Sequence, residues 1–480
     1  MNPLLLCSAT TLAEWIRTGR TRSLEAVEAH IAQVRKVNPH INAMVQDRFE
    51  QARTEAIAAD ERVATSGGKG LPPLHGVPCS VKESFGLTGM RNTGGLYDHR
   101  NVVAGKDATA VARVRAAGAI PIGTTNVSEL CMWMESDNCI YGRTGNPYGP
   151  SRTAGGSSGG EAAVVGAACA PFGLGSDIGG SIRLPAFFNG VFGHKCTGGL
   201  VPNTGQFPIA YGHALHYMTT GPICRRAEDL MPLLRILAGP DDVDGLVWPE
   251  ALRQPASVDL ARIEVLVVRG NGVIPVSADM LAAQTRAARA LQQAGARVRE
   301  VSVPGLKHSL PVWAAGMHTA GGPSFCERMG SGTAINPFVE LGRWALRRSH
   351  HTLPAIGLGI IEELMDRLPG LEAASTAAGV ELKRELDSML KPFTVILYPT
   401  YPTSAPRHNR ALLPPVYWMY TAVLNALELP VTQVPIGQDG NGLPLGVQVV
   451  GPRGRDFVPI AVAQYLERAC GGWHPPRLAR

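Results

Sequence analysis

The sequence lacks the features that mark several broad classes of protein. Its nine cysteines are scattered and include no C-x-x-C pair, so we expect neither a disulfide framework nor a zinc site. No apolar run reaches the roughly 18 residues that cross a membrane. The short apolar run at the N-terminus has no basic segment before it, so we expect no signal peptide. Reduced thiols without a leader indicate a cytoplasmic protein.

Charge is modest and evenly spread. Charged residues make up 18% of the chain, the net charge is +6, and no block of like charges occurs. A basic stripe or patch is the usual mark of a surface that binds nucleic acid. We therefore expect no nucleic-acid partner.

Glycine and proline are abundant, with 55 and 37 residues, which favours many turns and argues against a helical bundle. Residues 8–65 have helical patterns, in which Thr10 or Thr11 is expected to cap the first helix and Ser23 to open the second. Helix and strand patterns then alternate from about 100 to 300. This alternation is typical of an α/β fold with a mixed, twisted central sheet flanked by helices.

The stretch from Gly155 to Arg183 carries the most functional information. It reads GGSSGGEAAVVGAACAPFGLGSDIGGSIR, which predicts two glycine-rich turns around a buried helix. Such turns let several backbone N–H groups converge on one point, which suits an anion. A serine at that point can be a nucleophile beside an oxyanion hole, although glycine–serine loops are more often plain turns. The candidate serines are Ser157, Ser158, Ser176 and Ser181.

A serine nucleophile needs a group that accepts its proton. No histidine stands in a recognisable nucleophile motif; the nearest is His194. Lys82, in the apolar run LHGVPCSVKESF, can serve if burial lowers its pKa enough to keep it neutral. The alternative is a lysine at a strand end that points to solvent.

Two other uses of the glycine loops are weaker. Neither loop fits G-x-x-x-x-G-K-[ST], and no G-x-G-x-x-G opens a helix after a predicted strand, so a nucleotide-binding module is a remote alternative. Asp177 has no companion carboxylate or histidine, and we expect no metal and no cofactor. Asp177 and Arg183 are expected to hold the second loop by an internal salt bridge.

These residues resemble the amidase signature family of hydrolases. The run GGSSGGE followed by GLGSDIGGSIRLPA is long and specific, and GVPCSVKESF, GTTNVSEL, YGRTGNPY and FGHKCTGGLVPNTGQFP agree with it. The resemblance spans nearly the whole chain, and the C-terminal run is most similar to the fatty-acid amide hydrolase 2-type amidases. One departure is Cys196, which stands where the family commonly has proline.

The resemblance implies one amidase domain over residues 1–480. Its parts would be a helical segment at about 1–65, a signature core at about 70–220, a variable substrate cap at about 303–375 and a return to the core at about 390–475. No linker-like stretch divides the chain.

The resemblance also implies roles for individual residues. Ser181 would be the acylated nucleophile, and Lys82 would draw its proton through Ser157, which would follow a cis peptide bond. The oxyanion hole would consist of the backbone N–H groups of Ile178, Gly179, Gly180 and Ser181. The substrate-binding residues would be Cys131, Met132, Gly156 and Ser158.

The implied reaction is hydrolysis of a small-molecule amide to an acid and an amine, with apolar acyl or fatty-acid amides as expected substrates. The alternatives are an aryl- or indole-acetamide-type amidase and the glutaminase-type subunit of a tRNA-dependent amidotransferase. Residues 338–365 are expected to form an amphipathic cap that contacts membrane surfaces, and a homodimer is an alternative to a monomer that the sequence leaves open. The candidate acyl-channel residues are Met132, Trp133, Met134, Trp313, Phe338, Trp344, Ile356, Leu358, Ile360, Ile361, Tyr417, Trp418 and Met419.

Overall fold

A mixed β-sheet runs through the centre of the protein. The computed structural model describes residues 1–249, 252–365, 370–412 and 416–480. In this part of the chain an 11-stranded sheet lies between helices, so the predicted α/β class is confirmed. Residues 366–369 of the predicted cap lie outside the described residues.

The strands of the large sheet come from almost the full length of the chain. The order across the sheet is β1-β3-β2-β8-β10-β9-β14-β15-β13-β11-β12. Strands β3, β2 and β8 are parallel, as are β13, β11 and β12, and an antiparallel middle joins the two blocks. The strands, including two short hairpins outside the sheet, are β1 (Met44–Asp47), β2 (Pro78–Lys82), β3 (Ile120–Thr125), β4 (Asp137–Asn138), β5 (Gly142–Arg143), β6 (Gly145–Asn146), β7 (Gly149–Thr153), β8 (Phe172–Asp177), β9 (Phe192–Lys195), β10 (Thr219–Cys224), β11 (Glu264–Val267), β12 (Arg297–Glu300), β13 (Thr394–Tyr398), β14 (Val431–Gln438) and β15 (Pro444–Val450).

Helices cover both faces of the sheet. None of the helices in the described part of the chain combines the length and apolarity that crossing a bilayer requires. The helices are α1 (Ala9–Arg17), α2 (Ser23–Ile41), α3 (Phe49–Ser66), α4 (Thr109–Ala116), α5 (Gly159–Gly166), α6 (Arg183–Phe188), α7 (Ala214–Tyr217), α8 (Leu230–Leu237), α9 (Ala278–Gln293), α10 (Ser309–Thr319), α11 (Phe325–Met329), α12 (Pro337–Ala345), α13 (Leu353–Met365), α14 (Gly370–Met389), α15 (Met419–Ala426) and α16 (Phe457–Cys470).

The first helix begins earlier than the sequence predicts. The Ser8 hydroxyl accepts the backbone N–H of Thr11, so Ser8 is the N-cap and the prediction of Thr10 or Thr11 is wrong. Thr10 lies inside the first turn, where its N–H and hydroxyl donate to the buried Asp229. The predicted start of the second helix at Ser23 is confirmed.

The second glycine-rich segment is mostly a strand rather than a turn. Phe172–Asp177 forms β8, which pairs with β2 on one side and β10 on the other and is buried throughout. Glycine weakens the strand pattern, but close packing favours glycine at two positions here. A Cβ at Gly173 would meet the Glu161 carboxyl at 1.5 Å, and one at Gly175 would contact Ile182 at 3.1 Å. The run between the two segments is α5, whose residues are all buried as predicted.

Candidate active site

The candidate site lies at the carboxyl ends of two neighbouring parallel strands. Lys82 is the last residue of β2, and Ser176 lies near the end of β8, which pairs with β2 in register at Ser80 and Val81. The carboxyl edge of parallel strands is where open α/β sheets commonly bind ligands. The strand pairing therefore brings a lysine and a serine together although they are far apart in the sequence.

Lys82 contacts two serine hydroxyls. Its Nζ lies 2.7 Å from Ser157 Oγ and 2.9 Å from Ser176 Oγ. Ser157 reaches this point from the loop that precedes α5, and the peptide bond between Gly156 and Ser157 is cis, as the resemblance implies. A Cβ on Gly156 would lie 2.4 Å from the Trp133 carbonyl oxygen, so only glycine fits at that position.

Lys82 is fully buried, with 0% of its surface exposed, so the interpretation of a solvent-facing lysine is wrong. Burial lowers the pKa of Lys82, because an ammonium group loses hydration in the interior. Cys131 and the negative charges of Asp177 and Glu161 oppose this effect without reversing it. The neutral amine is therefore populated at a lower pH here than in an exposed lysine. A neutral amine can accept a proton.

The loop after β8 carries Ser181 and is held by a buried ion pair. Asp177 Oδ2 lies 3.0 Å from Arg183 Nε, both side chains are fully buried, and the predicted salt bridge is confirmed. Burial alone would raise the pKa of Asp177, but the Arg183 charge and hydrogen bonds from Arg183 and Asn425 hold it well below its usual range. Asp177 is therefore an anion that organises the loop.

One of the predicted oxyanion donors is already engaged. The N–H of Gly180 donates to Asp177 Oδ1 at 2.6 Å, so it does not serve the cavity and the expectation for Gly180 needs correction. Gly180 has a φ of +126°, and a Cβ there would collide with the Thr421 hydroxyl. Within the described residues, the N–H groups of the other three predicted donors have no acceptor; these are Ile178, Gly179 and Ser181.

The proton path from Ser181 to Lys82 is half formed. The Lys82–Ser157 hydrogen bond is present, whereas the Ser181 hydroxyl makes no hydrogen bond to Ser157 among the described residues. The two loops meet through the backbone instead, because the Ser158 N–H donates to the Ser181 carbonyl at 3.2 Å. Catalytic hydrogen bonds are often long or unformed without substrate.

A cavity of about 840 Å³ opens from these groups. Ser157, Ser176 and Ser181 lie in its wall, and most of the remaining lining is apolar. This volume is within the range of pockets that enclose a small organic ligand. The cavity therefore offers an apolar compartment that ends at the serine hydroxyls.

The predicted substrate-binding residues take two different places. Cys131 and Met132 line the cavity. Gly156 and Ser158 do not, since Ser158 is fully buried and its hydroxyl donates to the Ser176 carbonyl at 3.3 Å. Both act by shaping the loops around Ser157 rather than by facing the cavity.

The predicted acyl-channel set is correct in part. Those that line the cavity are Met132, Trp133, Trp313, Leu358, Ile361 and Trp418. Met134, Ile356 and Met419 are buried elsewhere in the core, Ile360 and Tyr417 pack against core clusters, and Phe338 and Trp344 are exposed on α12.

Sequence reasoning missed the cavity walls contributed by residues 208–218 and by most of α10. Helix α10 was detectable, because SLPVWAAGMHT is apolar around its circumference and carries no carboxylate or ammonium group. Its Trp313 Nε1 donates to the Ile178 carbonyl at 2.8 Å, and the Trp313 ring packs edge-on against Trp418.

Other candidates are engaged elsewhere. The two ring nitrogens of the buried His194 face Thr432 and Asp456, so both are occupied away from the serines. The Cys196 thiol donates to the Thr220 carbonyl at 3.5 Å in the core. No group of three or more metal-ligating side chains converges in the described part of the chain.

Comparison with known proteins agrees with this architecture. The family model named Amidase matches residues 25–458. The chain is 44% identical to fatty-acid amide hydrolase 2-A of Danio rerio over 99% of this chain and 91% of that protein. It is 43% identical to human fatty-acid amide hydrolase 2, with the same two coverages. Its fold matches the crystal structure of a bacterial aryl acylamidase with a TM-score of 0.80 and 25% identity, covering 98% of this chain and 97% of that one. The chain therefore belongs to the amidase signature family and is an amide hydrolase related to the fatty-acid amide hydrolase 2 proteins.

Proposed function

We propose that this enzyme hydrolyses apolar acyl amides through an acyl-enzyme on Ser181. The observation that carries the proposal is the contact of 2.7 Å between Ser157 Oγ and the fully buried amine of Lys82, at the end of an apolar cavity that also contains Ser181. Neither a metal nor a cofactor takes part in the proposed steps.

In the first step, Ser181 Oγ attacks the amide carbonyl carbon while its proton passes to Ser157 Oγ, and the Ser157 proton passes to neutral Lys82. The carbonyl oxygen becomes an oxyanion that accepts hydrogen bonds from the backbone N–H groups of Ile178, Gly179 and Ser181, which have no other acceptor within the described residues. Each such donor contributes about 10²–10³-fold to the rate in comparable sites.

In the second step, the Lys82 ammonium returns its proton through Ser157 to the leaving nitrogen as the carbon–nitrogen bond breaks. An amine leaves far more readily than an amide anion, so this proton transfer is essential. Water then attacks the Ser181 ester and gives one proton to the same relay. The bond between the acyl carbon and Ser181 Oγ breaks, the relay returns the proton to Ser181 Oγ, and the carboxylic acid is released.

The cavity lining supports a long apolar acyl group as the substrate. The groups lining it include Met132, Leu310, Met317, Leu358 and Ile361, so an acyl chain would contact mainly carbon and sulfur atoms. Burial of each methylene contributes about 0.8 kcal/mol. A long chain therefore gains binding energy that a small aryl amide cannot.

We expect a preference for long-chain over aryl amides. In purified enzyme, kcat/KM for oleamide is expected to exceed that for phenylacetamide and indole-3-acetamide by at least about 100-fold, since several additional methylenes are buried. The measurement is release of ammonia from each amide under matched conditions. Faster turnover of the aryl amides would contradict the substrate class. Glutamine hydrolysis that requires a partner protein would favour the amidotransferase subunit instead.

We also propose that the cap formed by residues 338–365, which comprise most of α12, the connecting segment and α13, contacts membrane surfaces. Apolar side chains are exposed on it beside three exposed arginines, Arg343, Arg347 and Arg348. An amphipathic surface with basic residues is attracted to anionic lipids. The exposed apolar residues of the cap are Phe338, Val339, Leu341, Trp344, Leu346, Ile361 and Leu364.

Flotation with vesicles that contain phosphatidylserine tests this contact. The wild-type protein is expected to float with the vesicles, and a Phe338→Ser, Trp344→Ser double variant is expected to lose most of this association because the apolar contact area falls. Val243→Ser, which changes an exposed apolar residue outside the cap, is the matched control. Wild-type protein that stays at the bottom of the gradient would refute the contact.

A further inference from the structure

The segment beside the serines has an unusual backbone. Leu130 and Cys131 are consecutive non-glycine residues in the left-handed region, with φ of 51° and 56°. Such conformations persist only where the surroundings impose them. The segment with this backbone conformation lines the cavity with four consecutive residues, Leu130, Cys131, Met132 and Trp133.

Glu129 immediately precedes this segment and connects it to α13. Its carboxylate is buried, with 3% of the residue exposed. Oε2 accepts the backbone N–H of Thr352 at 2.7 Å, at the N-terminus of α13, and Oε1 lies 2.7 Å from His351 Nδ1. The carboxylate thus satisfies a free N–H group at the positive end of a helix of 13 residues.

A second contact joins the same two elements. Leu130 packs in a small buried cluster with Ala355 and Ile356 of α13 and with Met329 of α11. Farther along α13, the Glu362 carboxylate accepts the N–H groups of Phe325 and Cys326 at the start of α11. The wall formed by α11 and α13 is therefore tied at one end to the segment that follows Glu129.

Helix α13 contributes directly to the cavity. Leu358, Ile361 and Glu362 line it, as do Phe325 and Arg328 of α11. A shift at the start of α13 would move these side chains relative to Cys131 and Met132. The width of the acyl compartment thus depends on where α13 begins.

We propose that Glu129 is a positioning residue that sets substrate specificity by fixing α13 against the segment 130–133. This inference rests on the proposed function, because it concerns the acyl compartment of the same cavity. Glu129 does not touch the reacting atoms. Removal of the Glu129 carboxylate should therefore weaken the binding of long acyl chains. It should affect the chemical steps much less, and a short amide, which undergoes the same steps, reports on them.

The charge state of His351 supports the link. Burial alone would lower the pKa of His351, but the hydrogen bond and charge of Glu129 raise it above its ordinary value. Glu340 and Asp98 add to this effect, and Glu340 is itself bonded to Arg343 and Ser349 of the cap. The Glu129 carboxylate therefore favours the protonated form of the imidazole, within a network that extends into the cap.

The test compares a long and a short amide in matched variants. In Glu129→Ala, KM for oleamide is expected to rise roughly tenfold, as the loss of a charge-assisted hydrogen bond would produce, while kcat/KM for butanamide changes less than about threefold. Glu129→Gln keeps an acceptor for the Thr352 N–H and is expected to restore most of the oleamide affinity. Asp137→Asn, which breaks an ion pair with Arg143 in a neighbouring hairpin, is the control.

A second measurement tests the contact between Glu129 and the start of α13 without using catalysis. Hydrogen exchange of the amides at 352–356 should be faster in Glu129→Ala than in the wild type or Asp137→Asn, because the first turn of α13 loses its carboxylate partner. Three results in Glu129→Ala would overturn the inference: an equal fall in kcat/KM for oleamide and butanamide, an unchanged KM for oleamide, or an unchanged rate of hydrogen exchange at 352–356. No hydrolysis of either amide by the wild-type enzyme would overturn the proposed function and this inference with it.

Discussion

Replacement of Ser181 by alanine is expected to reduce kcat for amide hydrolysis by at least about 10⁵-fold, because the variant cannot form the acyl-enzyme. The hydroxyl stands in the cavity wall on a loop that Asp177 and Arg183 organise without its help. The residue is 9% exposed, and removal of its hydroxyl leaves no buried ion without a partner. The fold and the apolar compartment should therefore survive the substitution.

The measurement is ammonia release from oleamide together with the thermal unfolding temperature. Ser388→Ala, which removes a hydroxyl from the exposed face of α14, is the matched control and should retain wild-type kcat. A Ser181→Ala enzyme that keeps more than a few per cent of wild-type kcat would exclude Ser181 as the nucleophile. A large fall in unfolding temperature would instead indicate a structural role.

Replacement of Lys82 by methionine is expected to lower kcat/KM by about 10³–10⁴-fold, because the relay loses its proton acceptor. Methionine fills much of the same buried volume and carries no charge. Since burial lowers the pKa of Lys82, the ammonium form destabilises the folded state at pH values below its ordinary pKa. Lys82→Met should therefore lose activity while its unfolding temperature stays equal or rises.

The pH profile of kcat/KM tests the role of Lys82 as the proton acceptor. Activity requires neutral Lys82. In the wild type, kcat/KM should therefore be low where the amine is protonated and should rise as the pH increases through the lowered pKa of Lys82. Lys195 is the relevant control, because it is also buried and burial lowers its pKa to about 8. It donates to the carbonyls of Cys196 and Leu429 rather than to a serine. The rise of kcat/KM with pH should persist in Lys195→Met and should disappear in Lys82→Met.

The pairing of Lys82 with Ser157 was implied by the resemblance to the amidase signature family, because both residues lie in its motifs. The sequence was sufficient to predict the alternation of helices and strands and the salt bridge between Asp177 and Arg183. The alternation depends on local patterns, and the salt bridge joins residues only a short separation apart along the chain. The contact of 2.7 Å between Lys82 and Ser157 additionally required the parallel pairing of β2 with β8.

Other features depended on packing that no local pattern specifies. Strand β8 was interpreted as a turn, since its glycines are explained only by the approach of Glu161 and Ile182 in three dimensions. The N–H of Gly180 was assigned to the oxyanion hole from the family resemblance, and nothing in the run DIGGS shows that the Asp177 carboxylate accepts it instead. Phe338 and Trp344 were placed in the channel on composition alone, whereas their helix directs them to solvent.

Peptide mapping after reaction with a fluorophosphonate tests the central claim most directly. Trypsin cleavage after Arg152 and Arg183 yields one peptide that contains Ser157, Ser158, Ser176 and Ser181, so fragmentation of that peptide must locate the label. We expect the label on Ser181 in the wild type, none in Ser181→Ala, and a much slower reaction in Lys82→Met. A label on Ser157 or Ser176, or unchanged labelling in Lys82→Met, would contradict the account.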